Sequence, residues 1–168
     1  TRDRLIREHK SSAEILKPFL RGRDVKRWHT KFAERYLVKI DSSANREHPW
    51  SAKSEQDAER VFAATYPAVH ERFRKFRAAL KKRDDQGRYF WELRSCIYWR
   101  EFEQPKIILG RFMNKATFAF DQDGFYHNDA VYLITGADTF VVAILNSSVS
   151  WWFLRQICTD LQNGYLQA

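Results

Sequence analysis

Lys81 to Gly110 reads KKRDDQGRYFWELRSCIYWREFEQPKIILG, and it decides the fold because it carries the chain from a strongly basic helical stretch into an aromatic-rich core. Asp84-Asp85-Gln86-Gly87 is turn chemistry: Asp side chains bond the local backbone and Gly accepts positive φ, so the chain reverses here. Arg88 to Arg94 then alternates as a strand would, with Tyr89, Trp91 and Leu93 on one face and Phe90, Glu92 and Arg94 on the other. After Pro105, Lys106-Ile107-Ile108-Leu109 reads as a second, buried strand that opens with a cation. The block is a platform on which a charged surface is mounted.

Upstream of it, Val69, Phe73, Phe76 and Leu80 share one helical face, which predicts a helix over Pro67–Lys82 with Pro at its first turn. Arg72 to Arg83 holds seven cations and no acid. Some of these cations suit the carboxyl end of a helix dipole, and at this density they repel one another unless an anion compensates. Ser54 caps a shorter helix ending near Ala64, Tyr36 to Ile40 is strand-like, and Ser11 with Glu14 has the spacing of a capping box. Between Lys17 and Lys31 lie Lys17, Arg21, Arg23, Lys26, Arg27 and Lys31 against one acid, Asp24, and beside Trp28. Downstream, Asp121 to Gly124 between aromatic runs predicts a hairpin. Ala130 to Ile134 follows as a strand, Thr139 to Leu145 as an apolar helix, and Val149 to Thr159 as a helix burying Trp152, Phe153 and Ile157.

A chain of 168 residues fits one domain with a real core. The expected class is α+β: a single domain whose mixed, mostly antiparallel, curved sheet is flanked by helices. No apolar run reaches the roughly 20 residues that a membrane helix needs, and no signal peptide is visible, so a cytoplasmic location is expected. Cys96 and Cys158 stand alone and read as buried free thiols. The net charge is +8, and its distribution says more. Residues 1–83 carry 22 Lys and Arg against 11 Asp and Glu, whereas residues 84–168 carry 7 against 10. Such asymmetry suits a polyanionic partner, although a solvated surface explains charge alone equally well.

Chemistry for catalysis is sparse. Asp121-x-Asp123-Gly124 resembles the start of a calcium loop but lacks its downstream glutamate, and Glu8-His9-Lys10 has only half of a metal-dependent nuclease set. The five histidines show no ligand spacing, and neither a phosphate loop nor a nucleophile elbow occurs. Binding chemistry remains. Arg21, Arg23, Lys26 and Arg27, with Arg72, Lys75, Lys81 and Lys82, are the candidate phosphate contacts. Arg94, Arg111, Asn114 and Asn128, with forked or amide donors near strand ends and loops, are the candidates for reading bases.

Leu16 to Trp28 resembles the entry segment of the TaqI-like C-terminal specificity domain. Tyr66 to Val69, Lys82 to Arg94, Pro105 to Ile108, Asn128 to Ile134 and Ala143 to Ser147 match the same family in the same order. The resemblance implies the target-recognition part of adenine-N6-specific DNA methyltransferases of restriction-modification systems, including fused type II restriction enzymes. It implies double-stranded DNA and the methyltransferase domain of the same parent chain as partners, with no membrane and no obligate oligomer. It also implies that residues 1–15 are a linker or entry helix and that residues 16–168 are the specificity domain, short of its tail. Nothing resembles the Asn-Pro-Pro-Tyr type motif that grips a flipped adenine, so no catalytic residue, metal or cofactor is expected here. S-adenosylmethionine would belong to the upstream domain. Docking on a protein partner without DNA contact is the competing expectation.

Overall fold

The computed structural model describes residues 1–161 and 164–168. The α+β class and the mostly antiparallel pairing hold: the described residues form seven α-helices and three three-stranded sheets in an α+β single-domain fold. Its residues pack as two compact units, one made of Thr1–Lys17 and Tyr36–Ile97, the other of Pro18–Arg35 and Tyr98–Ala168.

The first unit opens with α1 (Arg2–Glu8) and α2 (Ser12–Ile15). Ser11 stands at the N-cap of α2 but makes no capping bond, because its hydroxyl donates to the Thr65 carbonyl at 2.8 Å. The chain then extends as β1 (Leu16–Leu20), which runs on into the second unit, and returns as β2 (Tyr36–Val38). Ser54 accepts from the Asp57 N–H and starts α3 (Glu55–Thr65).

The helix expected over Pro67–Lys82 is two: α4 (Pro67–Arg74) and α5 (Arg77–Lys81), separated at Lys75 and Phe76. The break divides the cations between two axes. It also lets Arg77 reach Glu59 and Lys81 reach Glu55, the latter at 2.6 Å, so acids of α3 supply the compensation that the basic run lacks locally.

Rings close the core. Phe62 and Tyr89 each stack on Trp91 at 4.9 Å, and Trp50 meets Phe62 edge-on at 5.5 Å. The strand expected over Arg88–Arg94 does not form. Tyr89, Phe90, Trp91 and Glu92 are all buried, which strand alternation against a single core cannot do. The segment is instead a turn gathered around the Glu92 carboxylate. This group accepts from the backbone of Ser43, Arg88 and Tyr89, the Ser43 hydroxyl and the Trp50 indole.

In the second unit β3 (Lys106–Gly110) is central and wholly buried. It is followed by β4 (Phe112–Met113), β5 (Phe118–Asp121), β6 (Tyr126–His127) and β7 (Val131–Thr135). β3 pairs antiparallel with β5 on one side and β7 on the other. Its side chains alternate as strand geometry requires: Ile107 and Leu109 join Phe118 and Val142 in one cluster, and Ile108 joins Leu20, Val25 and Ala119 in the other. The opening Lys106 is fully buried and bonds the Phe102 carbonyl and Asp121, each at 2.5 Å.

The expected turn at Asp121–Gly124 is present, with Gly124 at φ +71° and the Asp121 carboxylate accepting from the N–H groups of Asp123 and Phe125. Its flanks are not a hairpin, because β5 pairs with β3 whereas β6 pairs in parallel with β1. The remaining elements are α6 (Thr139–Leu145), α7 (Ser148–Ile157), β8 (Thr159–Leu161) and β9 (Tyr165–Gln167). α7 turns opposite to expectation. Trp151 and Leu154 pack on the core, whereas Trp152, Phe153 and Ile157 are exposed. Apolar residues lie on both faces, and the face that meets Met113 and Val142 is the one buried. Cys96 and Cys158 are free but only half-buried.

Candidate nucleic-acid interface

The strongest site grows from the end of β1. Leu20 is fully buried and fixes where the chain leaves the strand. Gly22 follows at a point where a β-carbon would lie 2.9 Å from the Ala130 carbonyl oxygen, so only glycine fits without a shift. Residues Gly22–Asp24 make one 3₁₀ turn, closed by a reciprocal cap between Arg21 and Asp24. Arg21 donates side-chain bonds of 2.9 and 2.8 Å to the Asp24 carboxylate, holding that carboxyl below its ordinary range despite its burial. The one acid of the basic stretch is thus neutralised internally. Lys31 N–H donates to the Asp24 carbonyl at 2.7 Å, which ties the far end of the loop to the same turn.

Between these ties the chain makes a short hairpin. Val25 bridges Thr30 and Lys26 N–H donates to the His29 carbonyl at 2.9 Å, leaving Arg27 and Trp28 at the tip. Trp28 has φ +78°, a left-handed conformation that Gly or Asn normally supplies and that costs a bulky residue about 1–2 kcal/mol. The neighbouring strand over-determines it: Trp28 N–H donates to the Phe118 carbonyl at 2.9 Å and Trp28 bridges Ala119. Arg27 donates to the Asn146 carbonyl at 2.8 Å, with its guanidinium 5.3 Å from the Trp28 ring centroid.

Beside this hairpin lies a groove of about 840 Å³, lined by Arg23, Lys26, Arg27, His29 and Lys31 from the loop and by Asn114 and Lys115 from the β4–β5 turn. Phe112 and Tyr165 add aromatic wall, and among the described residues no Asp or Glu lines it. Among the described residues, five cations around one concavity with no acid in its lining focus positive potential there.

The predicted residues divide accordingly. Arg23, Lys26, Arg27 and Asn114 converge on the groove, and Arg21 braces it through Asp24. Arg111 lies at its strand end, 3.6 Å from Asp129 and 5.4 Å from the Phe112 ring. The Asn128 side chain accepts from Ala130 N–H at 3.4 Å within a turn. The others belong to the first unit. Lys81 is paired with Glu55, Arg94 lies 3.6 Å from Asp85, and Arg72 sits 4.8 Å from the Phe76 ring. Lys75 and Lys82 are exposed. Lys31, Lys115, Phe112 and Tyr165 were not among the candidates. Lys31 stood in the basic stretch, but only tertiary pairing brings the other three to it.

A second surface feature is apolar. On α6 and α7, Phe140 is 70% exposed, Val149 75% and Trp152 64%, with Phe153 and Ile157 also out. Among the described residues, no group of three or more His, Cys, Asp or Glu could hold a metal ion, and no helix is long and apolar enough to cross a membrane.

Comparison with protein families matches residues 17–168 to the TaqI-like C-terminal specificity domain. No curated protein matches the chain.

Proposed function

We propose, since the chain belongs to the family of TaqI-like C-terminal specificity domains, that it recognises a specific site on double-stranded DNA and positions it for an adenine-N6 methyltransferase domain of a restriction-modification enzyme. The family points to DNA recognition and to a non-catalytic role for residues 17–168. The finer statement is supported chiefly by one observation, the acid-free cationic groove beside the Val25–Thr30 hairpin.

Phosphates along one strand are met by Arg23, Lys26, Lys31 and Lys115, whose ammonium and guanidinium groups displace condensed counterions. Arg27 adds its remaining donors while one stays on Asn146. Base edges are read by Asn114, whose amide supplies both a donor and an acceptor at the groove, and by Arg111 beside it. S-adenosylmethionine and the transferred methyl group belong to the partner domain of the parent chain, and this chain's contribution is register and orientation.

The test is a duplex titration across salt concentration. Changing Arg23 and Lys26 together to Ala is expected to weaken binding to all duplexes alike and to lower the salt slope by about 0.9 per lost phosphate contact. Unchanged affinity and slope overturn the assignment.

One observation favours a second reading, docking on a protein without DNA contact: the exposed apolar face of α6 and α7. That reading predicts no salt-dependent duplex binding, and loss of partner binding when Trp152 and Phe153 become Ser.

A further inference from the structure

We infer, resting on the DNA-binding reading above, that Trp28 is a stacking platform for a nucleobase that has left the duplex stack at the rim of the groove. The hairpin's tie to β5 runs through the Trp28 backbone, by the N–H bond to Phe118 and the bridge to Ala119, while the ring lies under the neighbouring Arg27 guanidinium at 5.3 Å. The side chain is 52% exposed, whereas the structural indoles Trp50 and Trp91 are each 1% exposed.

The backbone at φ +78° would favour Gly, yet the position carries the largest side chain available. A strained residue whose ring is half-exposed, anchored through its backbone to β5, is an arrangement that presents a group outward. What it presents is a flat π-face, flanked by Lys26, Arg27 and His29 of the cationic groove. A planar ring system borne on a polyanion satisfies both features at once, which is the chemistry of a nucleobase. Every base offers a π-face, so the contact tolerates any sequence but requires a base free of its neighbours.

The experiment uses the whole chain and two duplexes, one fully paired and one carrying a single unpaired 2-aminopurine. The native chain is expected to bind the second about tenfold more tightly, the usual scale of one base–aromatic contact, and to quench its fluorescence. Trp28→Ala is expected to lose both the preference and the quenching while keeping the salt slope, because no charge is removed. Trp28→Phe keeps most of the preference. Trp28→Gly loses it as well, and, because it relieves the positive φ, it melts no lower than the native chain, which separates loss of the ring from loss of the fold. Equal binding of the two duplexes by the native chain, or a preference that survives in Trp28→Ala and Trp28→Gly, overturns the inference alone. Absence of any salt-dependent binding to the paired duplex overturns the DNA-binding reading beneath it.

Discussion

Arg21 and Asp24 grip one another by two parallel hydrogen bonds, Nε to Oδ2 at 2.9 Å and Nη2 to Oδ1 at 2.8 Å, and the Arg21 N–H closes on the same carboxylate at 3.0 Å. This pair sets the geometry of the loop and removes the one acid of the Lys17–Lys31 stretch from the electrostatic balance. Two opposite expectations for Asp24→Asn can therefore be separated. Charge alone predicts tighter DNA binding, because a negative group is gone. The clamp predicts weaker binding and a melting temperature lower by a few degrees, because the loop loses its brace. We expect the second, measured by duplex titration at fixed salt and by thermal melting of the same sample.

Within the basic run of the first unit, pairing decides which cations matter. Lys81 is held by Glu55 and Arg77 by Glu59, so Lys81→Ala is expected to leave the salt slope for duplex binding within about 0.3 of the native value. Lys115→Ala in the groove should lower it by about 0.9. A larger effect from Lys81 than from Lys115 would place the phosphate contacts in the wrong unit.

The fully buried Glu92 carboxylate is a hub for five donors from Ser43, Trp50, Arg88 and Tyr89. Glu92→Ala strands those donors in the core and is expected to destabilise the fold by about 3–5 kcal/mol. Glu92→Gln keeps one accepting oxygen and should cost roughly half as much. Chemical denaturation followed by the fluorescence of the buried Trp50 and Trp91 measures both.

His127 provides a pH signature. Burial pushes its imidazole pKa down, and the buried Lys106 ammonium adds to the shift. The folded state therefore releases this proton at a pH where the unfolded chain, near 6.5, still binds it. Unfolding then takes up a proton, so the contribution to stability is full above the unfolded value and is lost as pH falls through the folded one. The melting temperature is expected to drop between pH 7.5 and 5.5, and His127→Phe, packed against Phe102, should flatten that drop. An unchanged pH profile in the variant would assign the acid sensitivity elsewhere.

Legibility in the sequence followed the range of the forces involved. Lys106 to Leu109 was readable as a strand because the apolar run Ile107-Ile108-Leu109, opened by one cation after Pro105, suits a position covered on both faces. Tyr89 to Glu92 was not, because the carboxylate that bends it finds its partners at Ser43 and Trp50, far along the chain. The stretch from Pro67 to Lys82 reads as one amphipathic helix, and the acids of α3 that its second piece meets lie outside it in sequence. At the interface the cations between Arg21 and Lys31 were visible as a cluster. The separation of Arg21, which braces, from Arg23, which faces the groove, was latent in the three-residue spacing of Arg21 and Asp24. Lys115, Phe112 and Tyr165 carried no local signal, since the turn and strand that hold them meet the loop only in the folded unit.

Asn146 ends α6 by seizing Phe118 at both backbone atoms, its amide donating to the carbonyl at 2.8 Å and its oxygen accepting from the N–H at 3.1 Å. Its own carbonyl is the one that Arg27 holds. The same Phe118 carbonyl also receives Trp28. The hairpin tip, the edge strand β5 and the last turn of α6 are therefore yoked at two adjacent peptides. A pull on the tip is borne by the α6 terminus as much as by the loop, and a polymer seated on Arg27 tugs directly on the shaft to which the bare apolar flank is bolted.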